Sequence, residues 1–156
     1  MIIISGGQTG SDVAGLEVAH QLKLQTGGWA PKGYKTSIGP NPELLRDKYG
    51  LKESKYGYKI RTEQNVRDSD ATIRLCVDFF SAGEICTLNA ITKYGKPYFD
   101  VYLPNPINEQ ECVNWIINNN IKILNVAGNS QGKRGYDIYT LAGTYIYNVL
   151  EKVLRR

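Results

Sequence analysis

Three carboxylates and one glycine-rich turn are the places where this sequence could do chemistry. The turn is Ser5-Gly6-Gly7-Gln8-Thr9-Gly10, and Ser11-Asp12 follows it. Gly6, Gly7 and Gly10 put no Cβ in the way of a ligand approaching the main chain. Gln8 and Thr9 add side-chain hydrogen-bonding groups that a plain connection does not need. A helix starting just beyond would aim its free N–H groups and positive dipole end at the turn, which suits a phosphate. The same residues also fit a tight strand-to-helix turn that binds nothing. The carboxylates are Asp12, Glu63 and Glu84. Each could activate water or steady positive charge at an anomeric carbon, as a nucleotide N-glycosidase requires. Each has a structural role open to it as well: Asp12 on a helix dipole, Glu63 beside Arg61 or Arg67. No residue is assigned as catalytic from these patterns.

Strands and helices must alternate to position these groups. Ile2-Ile3-Ile4 is a bare β-branched run, fit for a central strand covered on both sides. Ala14, Gly15, Val18, Ala19 and Leu22 fall at helical spacing, so a helix is expected over about 11–23. Leu24 to Trp29 reads as a second strand, closed by Pro31 and Gly33. The region from Lys32 to Arg61 is long, basic and rich in turn residues, the mark of either a functional lid or a solvated loop. Within it Lys32 is the favoured ligand contact, because it sits just past a strand end.

A helix over 58–69 places Arg61, Asn65 and Asp68 along one side. Ala71, Ile73, Leu75 and Val77 alternate as a third strand, with Arg74 on the opposite face, which must be wet or paired there. Ser81-Ala82-Gly83-Glu84 then opens a helix to Tyr94, expected to bury Ile85, Leu88, Ile91 and Thr92. A fourth strand over 98–103, a helix capped by Asn108, and a fifth strand over 121–126 follow. The last turn, Asn125 to Ser130, leads to a helix over about 135–154. Its stripe of Ile138, Leu141, Ala142, Tyr145, Ile146, Val149 and Val153 fits either simple packing or a homo-oligomer contact, a dimer or tetramer. Such alternation predicts a single three-layer α/β domain over 1–156, with a mostly parallel sheet of about five strands. Ligands of such sheets bind at the carboxyl ends of the strands. The turns at Ser5–Gly10, Ser81–Gly83 and Asn125–Ser130 all follow strands and so share that edge.

The bulk numbers exclude several classes. A net charge of +4 is too mild for a basic nucleic-acid stripe and fits an anionic small ligand. RNA stacking on Tyr34, Tyr49, Tyr56 and Tyr58 ranks last, since no RNA motif accompanies them. No apolar run reaches membrane-spanning length. Met1 leads straight into a strand, so no signal peptide is expected. Three cysteines, Cys76, Cys86 and Cys112, sit in apolar patterns and read as thiols of a reducing cytoplasm. His20 is the single histidine, so no metal site is expected.

Four stretches carry a resemblance. They are Ser5 through Asp12, Thr26-Gly27-Gly28-Trp29-Ala30-Pro31-Lys32-Gly33, Arg61 through Thr72, and Leu124-Asn125-Val126-Ala127-Gly128. In that order they resemble the putative molybdenum-carrier family, within the Rossmann-like group of lysine-decarboxylase-like LOG proteins and SLOG domains. The resemblance implies a Rossmann-like, often oligomeric domain that binds a nucleotide, or a molybdopterin-type ligand, at its strand ends. By motif, Gly6, Gly7, Gln8, Thr9 and Gly10 would form the phosphate-side loop; Lys32, Arg61 and Asn65 would be polar site residues. Asn125 and Gly128 would line the far wall. Apart from the resemblance, the carboxylates and the turn after the third strand add Asp12, Ser81, Gly83 and Glu84 to the expected site.

Two departures stand out. Family members tend to carry a glycine-threonine turn after the third strand, where this chain has Ser81-Ala82-Gly83-Glu84. A carboxylate near a phosphate costs Coulomb energy unless it turns away or meets a positive ligand group. The Pro-Gly-Gly-x-Gly-Thr-x-x-Glu motif of the group's phosphoribohydrolases is absent. The expected function is therefore to carry, sense or sequester a nucleotide-derived phosphorylated molecule, ADP-ribose-like or a pterin cofactor. A nucleotide N-glycosidase is the alternative.

Overall fold

Chain order and strand pairing explain why three loops meet at one edge. The computed structural model describes residues 1–156. Strands β1 (Ile2–Ile4), β2 (Gln25–Gly27), β3 (Ala71–Cys76), β4 (Tyr98–Tyr102) and β5 (Ile123–Gly128) form one sheet. Helices α1 (Ser11–Gln21), α2 (Tyr58–Asp68), α3 (Ala82–Tyr94), α4 (Glu109–Asn118) and α5 (Ile138–Leu154) alternate with them. The spatial order is β2-β1-β5-β3-β4, every pair parallel, as expected when helices make the crossovers. Read from β5 and then β1, β2, β3 and β4, this order becomes 3-2-1-4-5. That is the doubly wound arrangement with the chain's last strand in the central place of the first. None of the helices is long and apolar enough to cross a membrane.

The two sheet faces differ in chemistry. Ile3, Ile73, Leu75, Leu124 and Val126 point to one face and meet α1, α4 and α5 in a 22-residue apolar core. The opposite face carries the buried polar residues Thr72, Arg74 and Asn125. There α2 and α3 pack together around a small cluster of Val66, Ala90 and Ile91. Arg74 is paired: its guanidinium donates twice to Asp100, both bonds 2.7 Å, directly across the β3–β4 ladder.

This polarity shifts the buried side of α3: Ile91 is buried as expected and Leu88 half-buried, but Ile85 and Thr92 are not buried. The helix buries Glu84, Thr87, Ala90 and Ile91, while Ile85 is 48% exposed and Thr92 faces solvent. The helix turns its polar residues inward because the sheet beneath is polar. α5 buries Ile138, Ala142, Tyr145, Ile146, Val149 and Leu150, leaving Leu141 partly exposed. It starts at Ile138 rather than 135, where Asp137 accepts a bond from the Thr140 N–H at 3.2 Å.

The long basic region is folded, not a solvated loop. Trp29–Ala30 pairs in parallel with Lys52–Glu53, and Lys35–Thr36 makes a hairpin with Gly39–Pro40. A wide helical turn over Glu43–Lys48 brings Leu45 into a second core with Leu16, Ala30, Tyr34, Tyr49 and Leu51. Tyr34 and Tyr49 are therefore packing residues, which removes two of the four rings expected to stack on RNA. Asn65 of α2 anchors this region, accepting from the Trp29 N–H (2.8 Å) and donating to the Trp29 carbonyl (2.9 Å).

The strand ends are fastened at Gly128 and Asn129. A Cβ on Gly128 would lie 2.0 Å from the Leu75 carbonyl oxygen, and its φ is +152°. The Ser11 hydroxyl donates to that same carbonyl at 2.6 Å. Gly128→Ala should cost about 3 kcal/mol or more, because backbone on both sides must move. Gly95→Ala, at an open left-handed helix end, should cost about 1 kcal/mol. Urea unfolding of the two variants checks the ordering; equal losses would contradict it.

Candidate functional site

The carboxyl ends of β1, β3 and β5 and the first turn of α2 enclose a cavity of 510 Å³. Gly6, Gln8 and Asp12 line it from the β1 side. Ser81, Ala82, Gly83 and Glu84 line it from the β3 side, with Cys86 and Thr87 behind them. Asn125 through Ser130, with Lys133 beyond, form the β5 wall. Tyr58, Lys59, Arg61, Thr62 and Asn65 form the roof. α2 runs antiparallel to the strands, so its first turn reaches back over their ends.

Ten of the fourteen expected site residues line this cavity: Gly6, Gln8, Asp12, Arg61, Asn65, Ser81, Gly83, Glu84, Asn125 and Gly128. Gly7, Thr9, Gly10 and Lys32 do not. Gly7 faces Leu45 of the second core, and Gly10 abuts the Asn129 carbonyl. The Thr9 hydroxyl shares a 2.7 Å hydrogen bond with Ser37. Lys32 is exposed outside the cavity, because the chain turns away at Pro31 into the second core. The four lining amide side chains are already engaged: Gln8 by the Thr9 and Ser37 N–H groups, Asn65 by the Trp29 backbone, Asn125 by Thr72 Oγ1 at 3.1 Å, and Asn129 by the Val77 and Asp78 backbone. Lys59, Thr62 and Lys133 also line the cavity, without having been expected there, and so does Tyr58, which the sequence offered only as a ring for stacking on RNA. The available signal was the position of Lys59 and Thr62 beside Arg61 at the start of a helix that ends before a strand.

The opening turn and the α3 turn differ in the donors they offer. Most amides of the opening turn are spent inside the protein. Gly7 N–H donates to Ser5 Oγ (3.1 Å), Gln8 N–H to Asp12 Oδ2 (3.1 Å), and Thr9 N–H to Gln8 Oε1 (2.9 Å). Ser11 N–H donates to the Asn129 carbonyl at 3.1 Å. Asp12 thus fills with its own carboxylate part of the place an outside anion would take. At α3, by contrast, Ser81 makes no side-chain cap, and the first intrahelical bond is Ile85 N–H to the Ser81 carbonyl. The N–H groups of Ala82, Gly83 and Glu84 precede that bond and have no intrahelical partner.

Charge is concentrated at the inner end. Asp12 and Glu84 are each 4% exposed. Arg61 Nη1 lies 3.7 Å from Asp12 Oδ2, and its guanidinium rests on Gly6, where a Cβ would come within 2.2 Å. Burial pushes the Asp12 carboxyl up to about 6, against the pull of Arg61 and the Gln8 N–H. Burial, and then the neighbouring Asp12, push Glu84 up to about 7, while the Cys76 thiol and Arg74 pull it back. Arg74 adds a hydrogen bond to the Glu84 carbonyl at 3.2 Å, but its charge is matched by Asp100. Arg61 Nε and Glu84 Oε1 are buried without a hydrogen-bond partner. At the outer lip, Lys59 and Lys133 add positive charge, Lys133 lying 3.8 Å from Asp78. The arrangement offers amides and cations to an anion at the lip and two acids to a donor within.

Both acids bind protons more tightly in the folded chain than in the unfolded one. Their contribution to stability is greatest below the ordinary carboxylate range and is lost as pH rises toward 7. Glu84→Gln should therefore gain stability relative to the parent between about pH 5 and pH 8, by roughly 2 kcal/mol. Urea unfolding at the two pH values reads this; a gap that stays fixed or closes would contradict it.

Comparison with known proteins bears on the family and the fold. Residues 3–150 match the model of the circularly permutated YpsA SLOG family. The crystal structure of a "Putative molybdenum carrier protein" from Syntrophus aciditrophicus SB is 32% identical. That match covers 96% of this chain and 94% of the other, with a TM-score of 0.83. No curated protein matches the chain. The permuted strand order and the matched span lead to one conclusion: the chain belongs to the circularly permutated YpsA SLOG family.

Proposed function

We propose that this protein binds a nucleotide-derived, phosphorylated small molecule at the carboxyl ends of its strands, and so carries, senses or sequesters it. An ADP-ribose-like signal and a pterin cofactor both fit the description. The name of the Syntrophus protein favours a molybdopterin-type ligand. The observation that carries the reading is the lip of the cavity. Ala82, Gly83 and Glu84, whose amides have no intrahelical partner, line a space of 510 Å³ together with Lys59 and Lys133, within the size range of small-molecule sites. Helix N-termini with adjacent cations hold phosphates through charge-assisted hydrogen bonds. Tyr58 supplies a flat apolar surface above, itself stacked under Arg61 at 5.3 Å.

A nucleotide N-glycosidase is the second reading, favoured by one observation. Asp12 and Glu84 are buried acids, raised to about 6 and about 7, in the same cavity. Acids tuned toward neutrality suit proton transfer. Glu63 does not share this role, since it does not line the cavity and lies 3.6 Å from Lys93. Incubation with nucleotides followed by chromatography separates the two readings: intact nucleotide supports binding, and released base supports hydrolysis.

Thermal shift and calorimetry against ADP-ribose and phosphorylated pterins test the binding reading. Lys59→Ala and Lys133→Ala should each weaken binding by roughly three- to tenfold, and more at low salt. Lys32→Ala should leave affinity unchanged. A loss with Lys32→Ala and none with the other two would place the anion elsewhere.

A further inference from the structure

The inner end of the cavity is more specific than an anion site requires. Glu84 sits in the first turn of α3, where a carboxylate opposes the anion that the amides invite. Its side chain is buried, and its carboxyl interacts with Cys76 and Asp12. Arg61 faces Asp12, Arg74 is taken by Asp100, and Glu84 Oε1 has no partner at all. A buried carboxylate oxygen left unpaired is costly, and it is relieved either by a proton or by a donor. The one donor the protein offers this carboxyl is the weak Cys76 thiol, Oε1 receives none, and the residue borders the cavity.

Resting on the binding reading above, we propose that Glu84, seconded by Asp12, recognises an amino-substituted ring edge of the ligand, in which an exocyclic amine lies beside a ring N–H. Such an edge presents two parallel donors, the geometry a carboxylate accepts as a pair. Guanine and 2-amino-4-oxo pterins both carry it. Its phosphate then occupies the lip formed by the Ala82 and Gly83 amides, and the ring lies inward between the sheet floor at Asn125 and the α2 roof. A second phosphate is excluded from the inner end by the same two acids. Glu84 is thus a specificity-determining residue, and it marks where this chain departs from a plain phosphate-binding turn.

The test measures affinity for two matched pairs by calorimetry. One is guanosine 5′-monophosphate against inosine 5′-monophosphate, which lacks the 2-amino group. The other is 6-hydroxymethylpterin phosphate against its 2-desamino analogue. The parent should prefer the amino member of at least one pair by about tenfold or more, and which pair does so identifies the source of the ring. Glu84→Gln, which keeps the shape and replaces one acceptor by a donor, should bring that ratio close to one without abolishing binding. Its unfolding transition verifies that it folds. Equal affinity within both pairs for the parent, or a preference that survives Glu84→Gln, overturns the subsite while leaving phosphate binding intact. Failure of all four compounds to bind overturns both the subsite and the binding reading.

Discussion

The fold and the site depend on one junction, where Asn129 ties the ends of three strands together. Its side-chain oxygen accepts from the N–H groups of Val77 (2.8 Å) and Asp78 (2.9 Å), and its amide donates to the Asp78 carbonyl at 2.9 Å. Its own carbonyl receives the Ser11 N–H that starts α1. One residue therefore fixes the loops after β5 and β3 and the first turn of α1. Gly10 and Gly128 allow this closeness, since neither position has room for a side chain. The Asn129 side chain thus gives partners to buried backbone groups of Val77 and Asp78, as interior backbone requires. The cavity opens beside it, at the switch point where α3 leaves to one face of the sheet and α5 to the other.

The polar sheet face is the second constraint. An apolar face would have drawn α2 and α3 down onto the strands and closed the space. Arg74 instead bonds to the Glu84 carbonyl, and α3 turns Glu84 and Thr87 inward over a face that also carries Thr72 and Asn125. The resulting interior is charged but locally unbalanced. Asp12 has Arg61, Arg74 has Asp100, and Glu84 is left over. An unbalanced buried acid costs stability, and such costs gather where a protein binds or reacts. Stability and ligand choice are thus set by the same side chain.

Much of this was legible in the sequence, and the failures have physical causes. Alternating apolar runs and helical stripes defined five parallel strands, because crossover connections leave little other choice. The convergence of the turns near Ser5, Ser81 and Asn125 followed from that topology alone. The role of each turn did not. The amides of the opening loop look free in sequence, yet they are consumed by Asp12, by Gln8 and by Asn129, more than a hundred residues away. The phase of α3 was misjudged because Ile85 and Thr92 suggest an apolar partner face, while the actual face is polar. Lys32 looked well placed after a strand, but the second core built on Leu45 and Tyr49 draws that segment aside. Of the ten expected residues that line the cavity, family resemblance pointed to six, Gly6, Gln8, Arg61, Asn65, Asn125 and Gly128, and the carboxylates and strand-end turns to the other four.

The central claim is that an anionic ligand is held at the first turn of α3 rather than at the glycine-rich loop that opens the chain. Backbone amide NMR during titration with ADP-ribose tests this directly, because an amide that gains a phosphate bond shifts strongly. The account predicts that the Ala82 and Gly83 amides move most, while those of Gly7 and Thr9 keep their internal bonds and stay nearly still. The largest shifts at Gly7, Gln8 and Thr9, with Gly83 unmoved, would contradict it.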